Sequence, residues 1–537
     1  MRKAMEPLYI QPLLEIREYL RLAFEPSADQ QAVEERLDRY ITEVIEGLYG
    51  APRVTTDTAL ERLSLLRQEA AVPGSAVHPE AYMSRLVHEV VPHSINTSSP
   101  NFIGHMTSAL PMFFRPLSRL LTALNQNVVK VETSKSFTAL ERQTLAFMHH
   151  QVYGCAESFY AEHGQNPEST LGMMTSGGTV SNLTALWIAR NAALLSPDDD
   201  VKRDGYALAL HKNGYRRGVI IGSSLMHYSI DKAADILGLG SDGVIRIGCD
   251  SRGRIDLSKL AKEMAACRER GDRILAIVGI AGTTESGAID PLQKLAEMAR
   301  AERIHFHIDA AWGGPLLLSD AHAHKLRGIE WADTVTIDGH KQMYLPMGTG
   351  LLLLKDPLAA ALIEKKAQYI IRGGSSDLGR RSLEGSRPAM SVFLHAGLHL
   401  LGREGYGYLL DEGIRKTRWL AGLLADHHAF ELIGEPEINI LTYRYIPAPL
   451  REAVRTGTLT PEEHNRINRF NERLQELQGR QGESFVSRTT LSGIEGLPES
   501  IVVLRVILAN PLTTEEHIKN ILDLQQTIAE ELELSFG

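Results

Sequence analysis

Cysteine is scarce in this chain: Cys155, Cys249 and Cys267 are the only three among 537 residues. An odd number with no Cys-x-x-Cys spacing excludes a disulfide framework and a structural zinc site, and it suits a reducing cytosol. Long apolar runs are missing as well. Stretches such as Ile274–Gly282 fall well short of the ~18 residues that span a bilayer, so no membrane association is expected. The first twenty residues carry acidic side chains and lack an apolar core followed by a small-residue cleavage site, so no secretory signal is expected. There is no excess of positive charge. Lys and Arg total 57 against 66 Asp and Glu, a net of −9, which argues against nucleic acid or an anionic membrane as main partner but leaves room for a local basic pocket. What remains is ordinary: 43% apolar and 23% charged residues exclude a disordered chain, a collagen and a coiled-coil rod. The length suits about two to four domains at roughly 100–200 residues each.

Residues 1 to 95 read as helical. Val33, Leu37, Ile41, Val44 and Leu48 share one helix face, and Gly50 with Pro52 ends that helix. So thin a segment has little of its own to cover that stripe, and packing on another part of the protein or on a second subunit is expected. From about residue 170, short apolar runs alternate with helical patterns. Buried strands are expected at 218–223, 274–280, 304–308, 334–337 and 350–354, with helices at 257–270 and 291–303 between them. That alternation predicts an α/β domain with a largely parallel sheet. A helical stretch over 391–427, strands at 439–446 and 501–508, and a closing helix at 514–532 predict a small α+β domain after it. The polar stretch 456–483 reads as a surface helix or insertion.

Four segments place polar groups after a predicted strand or at a helix start, where ligands of open parallel sheets bind. Ser176, Gly177, Gly178 and Thr179 precede an apolar helical run. Adjacent glycines and a helix N-terminus suit an anion, although such a run serves equally as a Gly-rich turn. Asp309, in His307-Ile308-Asp309-Ala310-Ala311-Trp312-Gly313-Gly314, suits a charge on a flat ligand, or merely caps the next helix. Lys341, in Asp338-Gly339-His340-Lys341, is a nucleophilic amine if held partly dry beside other cations, and otherwise an ordinary solvated turn. His227 can stack on a ring, or be a packing residue. Order decides among these readings. An anion loop, a ring-stacking histidine, a carboxylate and a lysine 32 residues after it are together what pyridoxal 5′-phosphate (PLP) requires.

With these residues in hand, the sequence resembles the group II PLP-dependent amino-acid decarboxylases of fold type I, a family that includes glutamate decarboxylase. The likeness runs from about Pro100 to Pro511. It rests on SPNFIGHMTS (99–108), NQNVVKVETSKSFTALE (125–141), TSGGTVSN (175–182), AGTTESGAIDP (281–291), HIDAAWGG (307–314), DGHK (338–341) and LRVILANP (504–511). The resemblance implies a helical N-terminal segment (1–95) packed against a partner subunit in a homodimer. It also implies a PLP-binding large domain (96–390) around a mostly parallel seven-stranded sheet and a small α+β C-terminal domain (391–537). It makes Lys341 the covalent anchor of PLP, with His340 helping to hold the cofactor. Asp309 pairs with the ring nitrogen, Ala311 and His227 take the two ring faces, and Ser176, Gly177, Gly178 and Thr179 take the phosphate. Thr284 lies near the cofactor, and Arg505 grips the substrate carboxylate. No metal is implied.

The fit is best to the bacterial pyridoxal-dependent aspartate 1-decarboxylase branch, through HSINTSSPNFIGHMTSALP and NQNVVKVETSK. It implies conversion of L-aspartate to β-alanine, a pantothenate precursor, and CO₂. Decarboxylation of L-glutamate to 4-aminobutyrate is the alternative. His105 falls where glutamate decarboxylases carry a side-chain-binding glutamine, and it would donate to a carboxylate, more strongly as a charged imidazole. An aminotransferase or lyase reaction would instead yield an α-keto acid. A non-catalytic scaffold would have no use for both Asp309 and Lys341. One departure stands out. The family's proton-donating loop tyrosine is replaced near Ser376, leaving Tyr369, another acid or His227 to serve.

Overall fold

The computed structural model describes residues 19–20, 23–65, 67–196, 201–365 and 375–536. Two compact units divide it: residues 104–472 with 487–511, and residues 1–103 with 473–486 and 512–537.

The larger unit holds a seven-stranded sheet. Its strands are β1 (Gly172–Thr175), β2 (Gly218–Ser223), β3 (Val244–Ile247), β4 (Arg273–Ile280), β5 (His305–Asp309), β6 (Thr334–Asp338) and β7 (Gly350–Leu354). They lie in the order β1-β7-β6-β5-β4-β2-β3. The run from β3 through β2, β4 and β5 to β6 is parallel, and β7 lies antiparallel between β1 and β6. The five strands expected from apolar runs are present, because a strand covered on both faces reads as a continuous apolar run. β4, for example, is buried at every position but the first. β1 and β3 escape such a reading. Each has four residues, and β3 is half exposed. One edge of the sheet gathers the carboxyl ends of β1, β4, β5 and β6, with Asp309 paired to Ile280 and Thr336, and Asp338 opposite Gly350.

The same unit holds an antiparallel sheet, β10-β11-β9-β8, formed by Phe430–Leu432 (β8), Ile440–Tyr445 (β9), Ser487–Leu491 (β10) and Ile501–Ile507 (β11). The helical stretch over 391–427 is two helices, Ser391–Leu400 and Gly402–Ala425. They part at Gly402, whose φ of 65° is cheap only for glycine. The polar stretch around 456–483 contains the helix Pro461–Gln481. It is not wholly a surface element: Ile467 is buried, and Asn471 bonds both the N–H and the carbonyl of Tyr445 (2.8 and 2.9 Å).

In the smaller unit the helix Ala28–Tyr49 starts on Ser27, whose hydroxyl accepts the N–H of Gln30, and ends at Gly50. None of its residues is buried, and its apolar stripe is half exposed. The helix Glu515–Phe536 begins after Thr514, whose hydroxyl accepts the N–H of His517. Among the described residues no helix is long and apolar enough to cross a membrane.

A buried histidine ties the long helix Ser136–Tyr153 to the sheet. His149 Nε2 donates to the carbonyl of Leu354 on β7 (3.1 Å), and Nδ1 accepts from the Tyr160 hydroxyl (2.9 Å). Burial lowers its pKa to about 4. The unfolded chain, with an ordinary histidine pKa of 6.5, therefore binds more protons between those values. Stability is complete above pH 6.5 and is lost as pH falls through 4, by about 3 kcal/mol from this residue. Unfolding by urea from pH 7 to 4.5 is expected to show that decline, and His149→Gln to flatten it. An unchanged slope in the variant would show that His149 does not set it.

Candidate active site

The Gly-rich loop leaves β1 and enters the helix Gly178–Ala193. The first helical bonds run from Val180 and Ser181 back to the carbonyl of Gly177 (3.0 and 3.1 Å). The N–H groups of Gly178 and Thr179 precede that ladder and are left for a ligand. Glycine is required twice here. Gly177 has φ 151°, and a Cβ on Gly178 would sit 2.9 Å from Asp338 Oδ2.

Asp309 ends β5 and is 8% exposed. Its Oδ2 accepts from Asn182 Nδ2 (2.8 Å), and its Oδ1 from the N–H of Ala311 (3.1 Å). Asn182 lies one helical turn beyond Gly178. Its other bonds are forced: Nδ2 also donates to Ser229 Oγ (2.9 Å), and Oδ1 accepts from His307 Nε2 (3.0 Å). Burial lowers His307 to about 4, so the ring is neutral and Nδ1 accepts from the Thr334 hydroxyl (2.9 Å). A hydrogen bond to a charged group is worth about 2 kcal/mol, so this buried network fixes the Asp309 rotamer firmly.

His227 lies after β2. The Ser229 N–H donates to its Nδ1 (3.2 Å), as does the Ser229 hydroxyl (2.9 Å), which leaves the ring proton on Nε2. Burial, assisted by Lys341, lowers its pKa against the pull of Asp309, so His227 is neutral at pH 7. Lys341 Nζ stands 3.3 Å from Asp338 Oδ2. His340 donates Nδ1–H to the carbonyl of Thr349 (2.8 Å), with Nε2 3.7 Å from the same Asp338 oxygen. Behind these loops Trp312, Gln342 and Asn439 close a ring of bonds. Trp312 Nε1 donates to Asn439, Asn439 to Gln342, and Gln342 to the Trp312 carbonyl (3.1, 2.8 and 2.8 Å).

A cavity of about 310 Å³ opens at this edge of the sheet. Ser176, Gly177, Gly178, Thr179, His227, Thr284, Asp309, Ala311, His340 and Lys341 all line it, and so do Asn182 and Asp338. Arg505 and His105 do not line it, but they lie beside it. Arg505 donates to the carbonyl of Thr284 (2.7 Å) and to Ser487 Oγ (3.0 Å). His105 is exposed and bonds Thr107 (3.1 Å). Its pKa is lowered by partial burial and then by the charges of Arg505 and Lys341, so the resting imidazole is neutral rather than charged. Near Arg505, burial raises the Glu285 carboxyl. Ser376 is half-buried, in a segment anchored where Asp377 accepts the Val131 N–H (2.8 Å). Tyr369 lies outside the described residues.

Asn182, Asp338 and Glu285 were not among the residues the sequence singled out. Asn182 was open to discovery, because four residues after Gly178 places it on the same helix face. Glu285 carried no such signal.

The donor set is that of a PLP site. A helix N-terminus free of side chains suits a phosphate, a carboxylate locked by an amide suits a ring nitrogen, and a lysine shares the cavity with both. The cradle has room only because residue 178 lacks a Cβ, which would sit 2.9 Å from Asp338 Oδ2. These features and the sheet define a PLP-dependent enzyme.

Residues 66–446 match the pyridoxal-dependent decarboxylase conserved domain. The chain is 44% identical over 472 residues to an aspartate 1-decarboxylase of Aliivibrio fischeri, covering 87% of this chain and 86% of that one. It is 29% identical over 458 residues to an L-2,4-diaminobutyrate decarboxylase of Rhizobium meliloti, covering 84% and 82%. The chain belongs to the pyridoxal-dependent decarboxylase family: it is a carboxy-lyase, and its cofactor is PLP. Among solved structures, mouse CSAD superposes with a TM-score of 0.81 at 24% identity, covering 94% of this chain and 99% of that one. Oryza sativa TDC, solved with PLP and tryptamine, gives 0.81 at 19%, covering 95% and 99%. Both share the fold.

Proposed function

We propose that this enzyme removes the α-carboxylate of L-aspartate, giving β-alanine and CO₂. The observation that carries the choice is the placement of His105 beside Arg505 at the side of the cavity, where the guanidinium adds to burial in lowering the imidazole pKa. A second substrate carboxylate is drawn to that place, and a second ammonium, as on 2,4-diaminobutyrate, is repelled. The identity to the Aliivibrio fischeri aspartate 1-decarboxylase supports the same reading.

Bound PLP supplies a conjugated, electron-withdrawing ring that accepts the electron pair of the breaking Cα–carboxylate bond. The chain's residues do the rest. Lys341 anchors the cofactor covalently, and His340 helps to hold it. Gly178 and Thr179, with Ser176 and Gly177, hold the phosphate, and Thr284 borders the cofactor. Asp309, locked by Asn182, would stabilise a proton on the ring nitrogen. Ala311 and His227 would hold the ring. Arg505, its fork held by Thr284 and Ser487, grips a substrate carboxylate. His105 donates to the side-chain carboxylate, and the arriving dianion favours its charged form. His227 holds a proton at Nε2 and serves as the proton donor to Cα, with the Ser229 hydroxyl returning a proton to Nδ1 as it does so.

β-Alanine made this way would supply pantothenate synthesis, and the three free cysteines support a cytosolic setting. We further propose a homodimer in which the N-terminal helical segment, residues 1–95, packs against the partner. The half-exposed stripe of the helix Ala28–Tyr49 and Phe24, 81% exposed, support that packing. Residues 96–390 then form the PLP-binding domain and 391–537 the small one.

A competition assay with aspartate, glutamate, cysteine sulfinate and 2,4-diaminobutyrate, with the amines identified, tests the substrate. Aspartate is expected to have the highest kcat/KM. His105→Ala is expected to raise its KM about tenfold, or ~1.4 kcal/mol, with a smaller effect on kcat. Faster turnover of glutamate or diaminobutyrate would overturn the assignment. Light scattering is expected to report a dimer, and a fully active monomer would remove that proposal.

A further inference from the structure

The sheet has a second cavity, at the edge opposite the PLP site. It measures about 490 Å³ and lies where β4 and β5 begin, between the helices Gly178–Ala193 and Leu292–Ala301. Four cations line it, Arg273, Arg300, Arg303 and Lys355, against one carboxylate, Asp333. None of the four is in a salt bridge among the described residues, although surface cations elsewhere in the chain commonly are, Arg268 with Glu302 for example. Arg273 donates to the carbonyl of Ala193 and lies over the Tyr215 ring. Arg300 lies over the Trp331 ring, so both guanidinium groups are positioned by uncharged partners. Asp333 is tied to the backbone, accepting the N–H of Phe306 (2.8 Å). Arg303 stands at φ 53°, just past the end of its helix, where glycine is the inexpensive residue. The helix cap accounts for that φ, with the Ile304 N–H donating to the Ala299 carbonyl (2.9 Å), and it leaves the Arg303 side chain on the lining of the cavity.

His305 also lines this cavity, and from it one hydrogen-bond chain crosses the sheet to the other site. His305 Nε2 bonds Thr334 Oγ1 (2.8 Å), Thr334 bonds His307 Nδ1 (2.9 Å), His307 Nε2 bonds Asn182 Oδ1 (3.0 Å), and Asn182 Nδ2 bonds Asp309 Oδ2 (2.8 Å). The direction of every bond is determined. Asp309 only accepts, so Asn182 presents its amide nitrogen to it and accepts from His307. The neutral His307 then accepts from the Thr334 hydroxyl, and that hydroxyl accepts the Nε2–H of His305. Such a chain polarises as a unit. An anion beside His305 draws its Nε2–H back and makes it a weaker donor, and each later link weakens with it, ending at the group that faces the cofactor's ring nitrogen.

We infer that this cavity is an effector site for a small dianion, a phosphate ester or a dicarboxylate, and that its occupancy is read at Asp309 through the His305–Thr334–His307–Asn182 chain. The site takes charge and size rather than a ring, because the Trp331 face is already used by Arg300.

The test uses the holoenzyme, whose cofactor phosphate fills the cradle on the other edge, with inorganic phosphate as probe. Calorimetry is expected to show saturable millimolar binding, and the visible absorption of the bound cofactor to shift along the same isotherm. Arg303→Gly combined with Lys355→Gln is expected to weaken binding at least tenfold. Glycine relieves the backbone at 303, so folding is not at risk there. Thr334→Val keeps the volume and breaks the chain; if its holoenzyme spectrum shows an intact site, phosphate should bind as before without the spectral shift. Should Thr334→Val not hold cofactor, His305→Phe serves as the second break. Equal phosphate affinity in parent and double variant would remove the site. A shift that survives the broken chain, or no shift in the parent, would remove the coupling.

Discussion

The bond from Asn182 Nδ2 to Asp309 Oδ2, at 2.8 Å, is the constraint on which the rest of the site depends. A buried carboxylate is expensive unless its lone pairs are answered. Here one oxygen is answered by an amide and the other by the Ala311 N–H at 3.1 Å. The amide in turn is held by His307 and Ser229, and through Ser229 by the ring of His227. One side chain on the first turns of a helix thereby sets the orientation of the carboxylate and the tautomer of His227. The same helix start supplies the free N–H groups of the anion cradle, so the cradle and Asp309 are held in register by a single rigid element.

Parallel-sheet topology explains why these groups meet. β1, β2, β4, β5 and β6 all end at one edge, and Ser176, His227, Thr284, Asp309 and Lys341 lie at the end of a strand or within four residues beyond it. Distant segments of sequence therefore converge on one cavity without any of them being long. The closed bonding of Trp312, Gln342 and Asn439 fastens the loops after β5 and β6 to the start of β9. Arg505, on β11, reaches the carbonyl of Thr284 by the same arrangement.

Much of this was legible in the sequence, for a physical reason. Strands buried on both faces are written as unbroken apolar runs, and glycine is written where a Cβ would collide, as at Gly178 against Asp338. The polar residues that follow those runs are therefore visible as candidates. Short strands leave no such trace, which is why β1 and β3, four residues each, carry no apolar-run signal. Second partners are invisible too. Asn182 sits in plain view inside the Gly-rich motif, but its role exists only because Asp309, 127 residues away, is brought against it. Conversely, the resting charge of His105 could not be read from its type, because it is set by partial burial and by two cations from distant segments.

The central claim is that the Asp309–Asn182 pair keeps a proton on the cofactor's ring nitrogen, and ¹⁵N NMR of the holoenzyme carrying ring-labelled PLP tests it most directly. The account predicts a protonated nitrogen at neutral pH in the parent and loss of that proton in Asp309→Asn, with Asn182→Leu between the two. An unprotonated nitrogen in the parent, or one indifferent to both substitutions, would contradict it.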